Sequence, residues 1–210
     1  MIEFPPVEMP SDLAGVPNGR LGPCNLTTVF FVGVGHLSMH PLAARAWNAM
    51  TAICKAETKA DLSTTGTYRS FDAQLQLFNQ RYTPTYLPLR NVLTNQRTYQ
   101  GKTWYLRRGC APAATPGTSN HGWGIAIDTA IAAPTYDPTA KAWVTKIVGI
   151  TADPKVWQWV QANAMSFGFG WEGARPGMPG WEPWHLRYWA GDRIPKRVLD
   201  VEAWFAGAKP

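Results

Sequence analysis

The ten residues Ser119-Asn120-His121-Gly122-Trp123-Gly124-Ile125-Ala126-Ile127-Asp128 constrain this chain more than any other segment. From Trp123 onward the residues alternate in type. Trp123, Ile125, Ile127 and Thr129 fall on one face and are mostly large and apolar. Gly124, Ala126 and Asp128 fall on the other. Successive side chains of a strand point to opposite faces, so residues 123–131 read as a strand with one buried face. Its other face offers small residues leading to a carboxylate. His121 precedes Asp128 by seven residues, about 23 Å of fully extended chain. Two ligands of one zinc ion must place their donor atoms within about 2.0–2.2 Å of the metal. If His121 and Asp128 act together, the chain turns back after His121, and Gly122 and Gly124 permit that turn. A strand with an incidental acid and a loop histidine fits these ten residues equally well.

Two further patterns carry chemistry-bearing side chains. In Glu182-Pro183-Trp184-His185 the acid and the imidazole are three apart. They would oppose one another on a strand and converge in a turn. Pro183, with Pro179 and Gly180 before it, favours the turn. A carboxylate beside a metal-binding imidazole is suited to general-base work on water. In Tyr68-Arg69-Ser70 an arginine stands at a strand-to-helix junction. Arginine at a helix start opposes the helix dipole, and there it can polarise a carbonyl or grip a carboxylate. Taken singly, each pattern also reads as ordinary surface or core residues. The chain has four histidines, His36, His40, His121 and His185, and no H-E-x-x-H, G-x-S-x-G, S-x-x-K, Walker A or Rossmann glycine pattern.

Taken in order, Y-R-S, then S-x-H-x-x-G-x-A-x-D, then E-x-W-H resembles the zinc D-Ala-D-Ala carboxypeptidase family (VanY-like). That family includes vancomycin-resistance peptidases and phage peptidoglycan endopeptidases. The resemblance spans roughly residues 40 to 190. It implies that His121, Asp128 and His185 hold one catalytic Zn²⁺. It implies that Glu182 moves the proton of the attacking water to the leaving amine. Arg69 would stabilise the oxyanion. Ser119, Gln74 and Trp184 would serve substrate binding, with Trp184 packed beside the metal. The implied partners are peptidoglycan stem peptides, cut either by a D,D-carboxypeptidase or by an endopeptidase. The family name favours the first. The phage-like arrangement, with no visible signal peptide in MIEFPPVEMP, tilts toward the second and toward action on the bacterial cell wall.

The rest of the chain sets the frame for an α+β fold: a small antiparallel sheet carrying the zinc site, flanked by helices. Residues 1–28 form an irregular Pro- and Gly-rich arm, and residues 29–210 form the peptidase domain. Residues 29–34 read as a strand. Pro41 opens a helix capped by His40 or Ser38, with Leu42, Ala43, Ala46, Trp47, Met50, Ile53 and Cys54 on one face. Residues 64–68 read as a short strand. Ser70 caps a second helix with Phe71, Leu75, Leu77 and Phe78 inward. Residues 82–118 are too long for an ordinary connection, so they form a basic insertion with short strands of its own, charged by Arg90, Arg97, Lys102, Arg107 and Arg108. Asp153 and Pro154 start a third helix ending near Gly168, and residues 195–205 form the last.

Composition narrows the class. Hydrophobic residues make up 45% and charged residues 16%, which excludes wholesale disorder. No apolar run approaches a membrane span, so no membrane insertion is expected. The net charge of +6 favours anionic partners, but no nucleic-acid motif accompanies it, and no such partner is expected. The oligomeric expectation is a monomer. Cys24, Cys54 and Cys110 read as free, mostly buried thiols, with a Cys24–Cys110 bridge as the other arrangement. Two competing classes remain. One is a non-catalytic wall-binding or virion protein with this fold; the other is a cysteine peptidase using Cys110 with His121 or His185.

Overall fold

The computed structural model describes residues 5–87, 95–171 and 181–207. Arg90 of the basic insertion, and Pro179 and Gly180 of the expected turn, lie outside the described residues. The fold is α+β, and its strands pair antiparallel.

The first helix, α1 (Pro41–Thr58), follows a hairpin of β1 (Thr27–Phe31) and β2 (Gly35–Met39). Pro41 occupies the first helical position and His40 is the cap, its Nδ1 accepting from the Leu42 amide at 3.3 Å. Ala43, Ala46, Trp47, Met50 and Cys54 recur at helical spacing and are buried, while Leu42 and Ile53 of the same expected face are half-buried. Trp47 packs between Phe31 and Phe169, at 5.8 and 6.3 Å between ring centroids. This face lies against β3 (Asp61–Gly66), α3 (Pro154–Asn163) and α4 (Lys196–Phe205).

The central sheet is organised by β7 (Ala126–Asp137). β3 runs along one edge of it, pairing Leu62 with Ile131 and Thr64 with Thr129. On the other edge β10 (His185–Tyr188) pairs with the first residues of β7, and β8 (Ala142–Gly149) pairs with the rest. β9 (Phe169–Gly170) closes the far side of β10. Ile125 and Ile127 are fully buried, as the alternating pattern requires. The start of the strand differs from the sequence reading. Asn120–Trp123 form a 3-10 turn and Gly124 is left-handed at φ +67°, so Trp123 stands before the strand. The alternation of side chains continues across a turn that periodicity alone does not reveal.

α2 (Phe71–Arg81) is capped by Ser70, whose Oγ accepts from the Ala73 amide at 3.2 Å. Its buried residues are Gln74 and Phe78, while Phe71, Leu75 and Leu77 are only half-buried. A polar side chain is therefore buried deeper than the leucines expected inward. After α2, β4 (Tyr82–Thr83), β5 (Gln96–Tyr99) and β6 (Lys102–Leu106) form a separate three-stranded sheet in the order β4-β6-β5. Its core is small. Phe78 stacks on Tyr82 at 4.7 Å and meets Trp104 at 5.2 Å, with Ala113 beside them.

The arm before β1 is sewn to the domain. The Glu8 amide donates to Trp189 O at 3.0 Å, and Asp12 pairs with buried His40 at 3.0 Å. Asn18 Nδ2 donates to Ser119 O at 2.9 Å. The Gly19 amide donates to Gly122 O, and its carbonyl accepts from the Phe71 amide and from Tyr68 Oη. All three cysteines are free; Cys54 is buried, but Cys24 is exposed and Cys110 half-buried, so the expectation of mostly buried thiols holds for Cys54 alone. Among the described residues, no helix is long and apolar enough to cross a membrane.

Candidate metal centre and cleft

Register brings two of the three expected ligands together. His185 on β10 is the direct partner of Asp128 on β7. The 3-10 turn returns His121 to the same point. Donor atoms of His121, Asp128 and His185 all lie within 4.8 Å of one another. His121 Nδ1 is 2.7 Å from the Thr67 carbonyl oxygen. A carbonyl only accepts, so Nδ1 carries a hydrogen and Nε2 is the nitrogen turned to the site. It stands 3.3 Å from Asp128 Oδ2. His185 Nδ1 is 2.9 Å from the other carboxylate oxygen. Two imidazoles and one carboxylate form a donor set suited to a hydrolytic zinc. Burial opposes ionisation of Asp128, but its contacts with both imidazoles outweigh burial and hold its carboxyl below the usual carboxylate range.

Backbone contacts fix this cluster. Trp184 O accepts from both the amide and the Oγ1 of Thr129, at 2.7 and 2.8 Å. Trp171 Nε1 donates to Pro183 O at 3.0 Å, and the His185 amide to Glu182 O at 3.0 Å. These bonds hold residues 182–185 as the turn that their prolines suggested. Gly66, at a bulge of β3, lies directly against the site. A Cβ there would stand 3.2 Å from Asp128 Oδ2.

A cleft of about 440 Å³ opens onto the cluster. Arg69, Ser119, Glu182 and Trp184 line it together with the three donors. Glu182 is exposed at its rim, and Ser119 is buried. Two expected residues take places other than those foreseen. Gln74 is buried behind Arg69: its Oε1 accepts from Arg69 Nη1 at 3.0 Å and its Nε2 donates to Ala114 O at 2.6 Å. With both ends of the amide engaged, it orients Arg69. Trp184 is 43% exposed, so its clamped carbonyl steadies the neighbouring ligand while its ring faces the cleft. Burial pulls the Arg69 guanidinium below its ordinary value; Asp128 counteracts this and Arg81 adds to it. Cys110 does not line the cleft, whose lining there begins at Ala111.

The comparisons with known proteins bear on the family and the fold. The family model described as D-alanyl-D-alanine carboxypeptidase (VanY) matches residues 36–191. The chain belongs to that family. The D-alanyl-D-alanine carboxypeptidases are peptidases, and membership makes this chain one in kind. The sequence has no match among curated proteins. Solved structures resemble it in fold. The LdcB LD-carboxypeptidase is 24% identical over 91% of this chain and 81% of its own, with a TM-score of 0.54. The vancomycin-resistance D,D-dipeptidase VanXYg, solved with a D-Ala-D-Ala phosphinate analogue, is 18% identical over 96% of this chain and 70% of its own, with a TM-score of 0.50.

Sequence reasoning missed the supports of the VanY-type site. Thr67, Thr129 and Asn18 act through partners far away in sequence, Thr67 by its carbonyl on His121 and the other two by side chains on backbone oxygens, and no local pattern marks them. Gly66 did carry a signal, since a glycine inside a strand pattern suggests a bulge or a close approach.

Proposed function

We propose that this protein is a zinc-dependent peptidase that removes a terminal residue from peptidoglycan stem peptides at the bacterial cell wall. The observation that carries the reading is one cleft holding a His-Asp-His donor set, an exposed acid at its rim and a half-buried arginine. His121 Nε2, the Asp128 carboxylate and His185 would hold one zinc. When bound, zinc supplies a Lewis acid and makes water a competent nucleophile at neutral pH.

The protein's own groups do the rest. Glu182 takes a proton from the attacking water on its carboxylate and returns it to the departing amine. Arg69 presents guanidinium N–H groups to the negative charge that develops on the scissile carbonyl oxygen. Its reach is fixed by Gln74 on one side and by its own amide, which donates to His121 O at 3.1 Å. Arg69 and His121 are thus tied through the backbone. Ser119 and the Trp184 ring flank the peptide in the cleft.

Mass spectrometry of products from stem pentapeptides and from crosslinked sacculi tests this reading, with zinc removed and then restored. Chelator-sensitive release of free D-Ala is expected. Cleavage within the stem or the cross-bridge would make the enzyme an endopeptidase. No cleavage by zinc-loaded protein would favour a wall-binding role.

A further inference from the structure

Arg81 is the last residue of α2 and lines the same cleft as Arg69. The two arginines are close enough that Arg81 disfavours the charge on Arg69. The Arg81 Nη1 donates to Pro112 O at 3.0 Å and, more weakly, to Ala111 O at 3.4 Å. Both partners are neutral carbonyls, and among the described residues no acid pairs with Arg81. Of the acids in the cleft, Asp128 is engaged with two imidazoles, and Glu182 is exposed at the rim.

Two guanidiniums in one recess repel, and a partly enclosed site strengthens that repulsion. The arrangement is relieved when an anion enters. Guanidinium has five N–H donors in a planar fork, and the two carbonyls use only one nitrogen. The remaining edge matches a carboxylate. Arg81 and Arg69 line one cleft of about 440 Å³, so a short peptide held there can meet both.

We propose that Arg81 receives the free terminal carboxylate of the substrate peptide, and so selects chain ends over internal bonds. This rests on the peptidase reading above and names the anchor that reading lacks. Arg81 is a binding residue; it moves no proton and forms no bond to the reacting atoms.

The test uses zinc-loaded protein and two stem peptides that differ only in a free or amidated C-terminal carboxylate. For the wild type, amidation should raise KM about 10- to 100-fold, the range for hydrogen bonds to a charged group. Arg81→Gln keeps a donor for Pro112 O and removes the charge. It should show that raised KM with the free acid and no further penalty with the amide. Arg81→Lys should recover part of the difference. Thermal melts and zinc content check that each variant is folded and loaded. If Arg81→Gln weakens both peptides equally, Arg81 is only a strut for residues 111–114 and the proposal fails. It also fails if amidation costs the wild type nothing. Should the wild type cleave neither peptide, the peptidase reading falls first. Calorimetry of the same two peptides then decides the anchor: equal binding of acid and amide overturns it, and preference for the acid that is lost in Arg81→Gln sustains it.

Discussion

β7 and β10 lie on a core that extends from Phe31 and Trp47 through Phe169 to Val201 in α4. The three-stranded sheet of β4, β5 and β6 rests on little more than Phe78, Tyr82 and Ala113, with Leu77, Tyr99, Trp104 and Leu106 at their edge. Both regions bound the same cleft: the first supplies the metal donors, the second supports the wall that carries Arg81 and residues 111–114. The contrast teaches how the work is divided. Donor positions must hold to a fraction of an ångström, and they are set by strand register over the large core. The wall only has to shape what enters, and a small aromatic cluster suffices.

The contrast breaks most completely at its rigid end. Asp128→Ala should abolish both zinc retention and peptidase activity while the chain remains folded, as metal analysis and circular dichroism would record. Retained zinc would move the metal site elsewhere. Phe78→Ala attacks the other region. It should cost about 3 kcal/mol and raise KM, yet leave zinc content at the wild-type level. Zinc loss in that variant would show that the two regions are one cooperative unit. Gln74→Ala sits between them and frees Arg69 without touching a ligand. It should lower kcat by about tenfold, the loss of one oriented hydrogen bond, with zinc unchanged. An unchanged kcat would remove Gln74 from the machinery. The smallest effect is expected far from the cleft, where Glu202 of α4 bonds Arg45 of α1 at 2.5 and 2.6 Å. The bond to Arg45 holds the Glu202 carboxyl below its ordinary range. A lowered folded-state value means the stabilisation is present above the usual glutamate range and is lost as pH falls below it. Glu202→Gln should flatten that acid limb of the melting profile and leave kcat untouched. The pair is surface-exposed, so a shift of only a few degrees is expected.

Much of this was legible in the residues. Helix starts at Pro41, Phe71 and Pro154 followed from their caps, because capping is local chemistry. His121, Asp128 and His185 were legible through the order of three motifs that resembles the VanY-like family; singly, each motif also read as ordinary residues, and His185 stands 57 residues from Asp128. What escaped depends on partners remote in the chain. The hairpin of β7 and β8 runs on past Ile131 through small residues, Thr, Tyr and Lys, where alternation is weak. Gln74 is buried while Leu75 and Leu77, which the apolar count placed inward, are half-buried, since its burial is decided by Arg69 and Ala114 O. The Trp184 ring lies open because its carbonyl, and not the indole, is what Thr129 holds.

The brace between arm and site has a consequence for the order of assembly. Asn18 and Ser119 are 101 residues apart, and Glu8 and Arg193 are 185 apart. Contacts so distant form only after the intervening chain is compact, because closing long loops costs entropy before any bond repays it. The arm therefore docks late, and until it does the turn carrying His121 lacks Asn18 and Gly19 behind it. Metal capture becomes a late event on the folding path. In refolding followed by stopped flow, zinc uptake should lag behind the helical signal, and simultaneous appearance of the two would count against this order. Folding itself then acts as the gate on catalysis: a half-made chain carries no working peptidase.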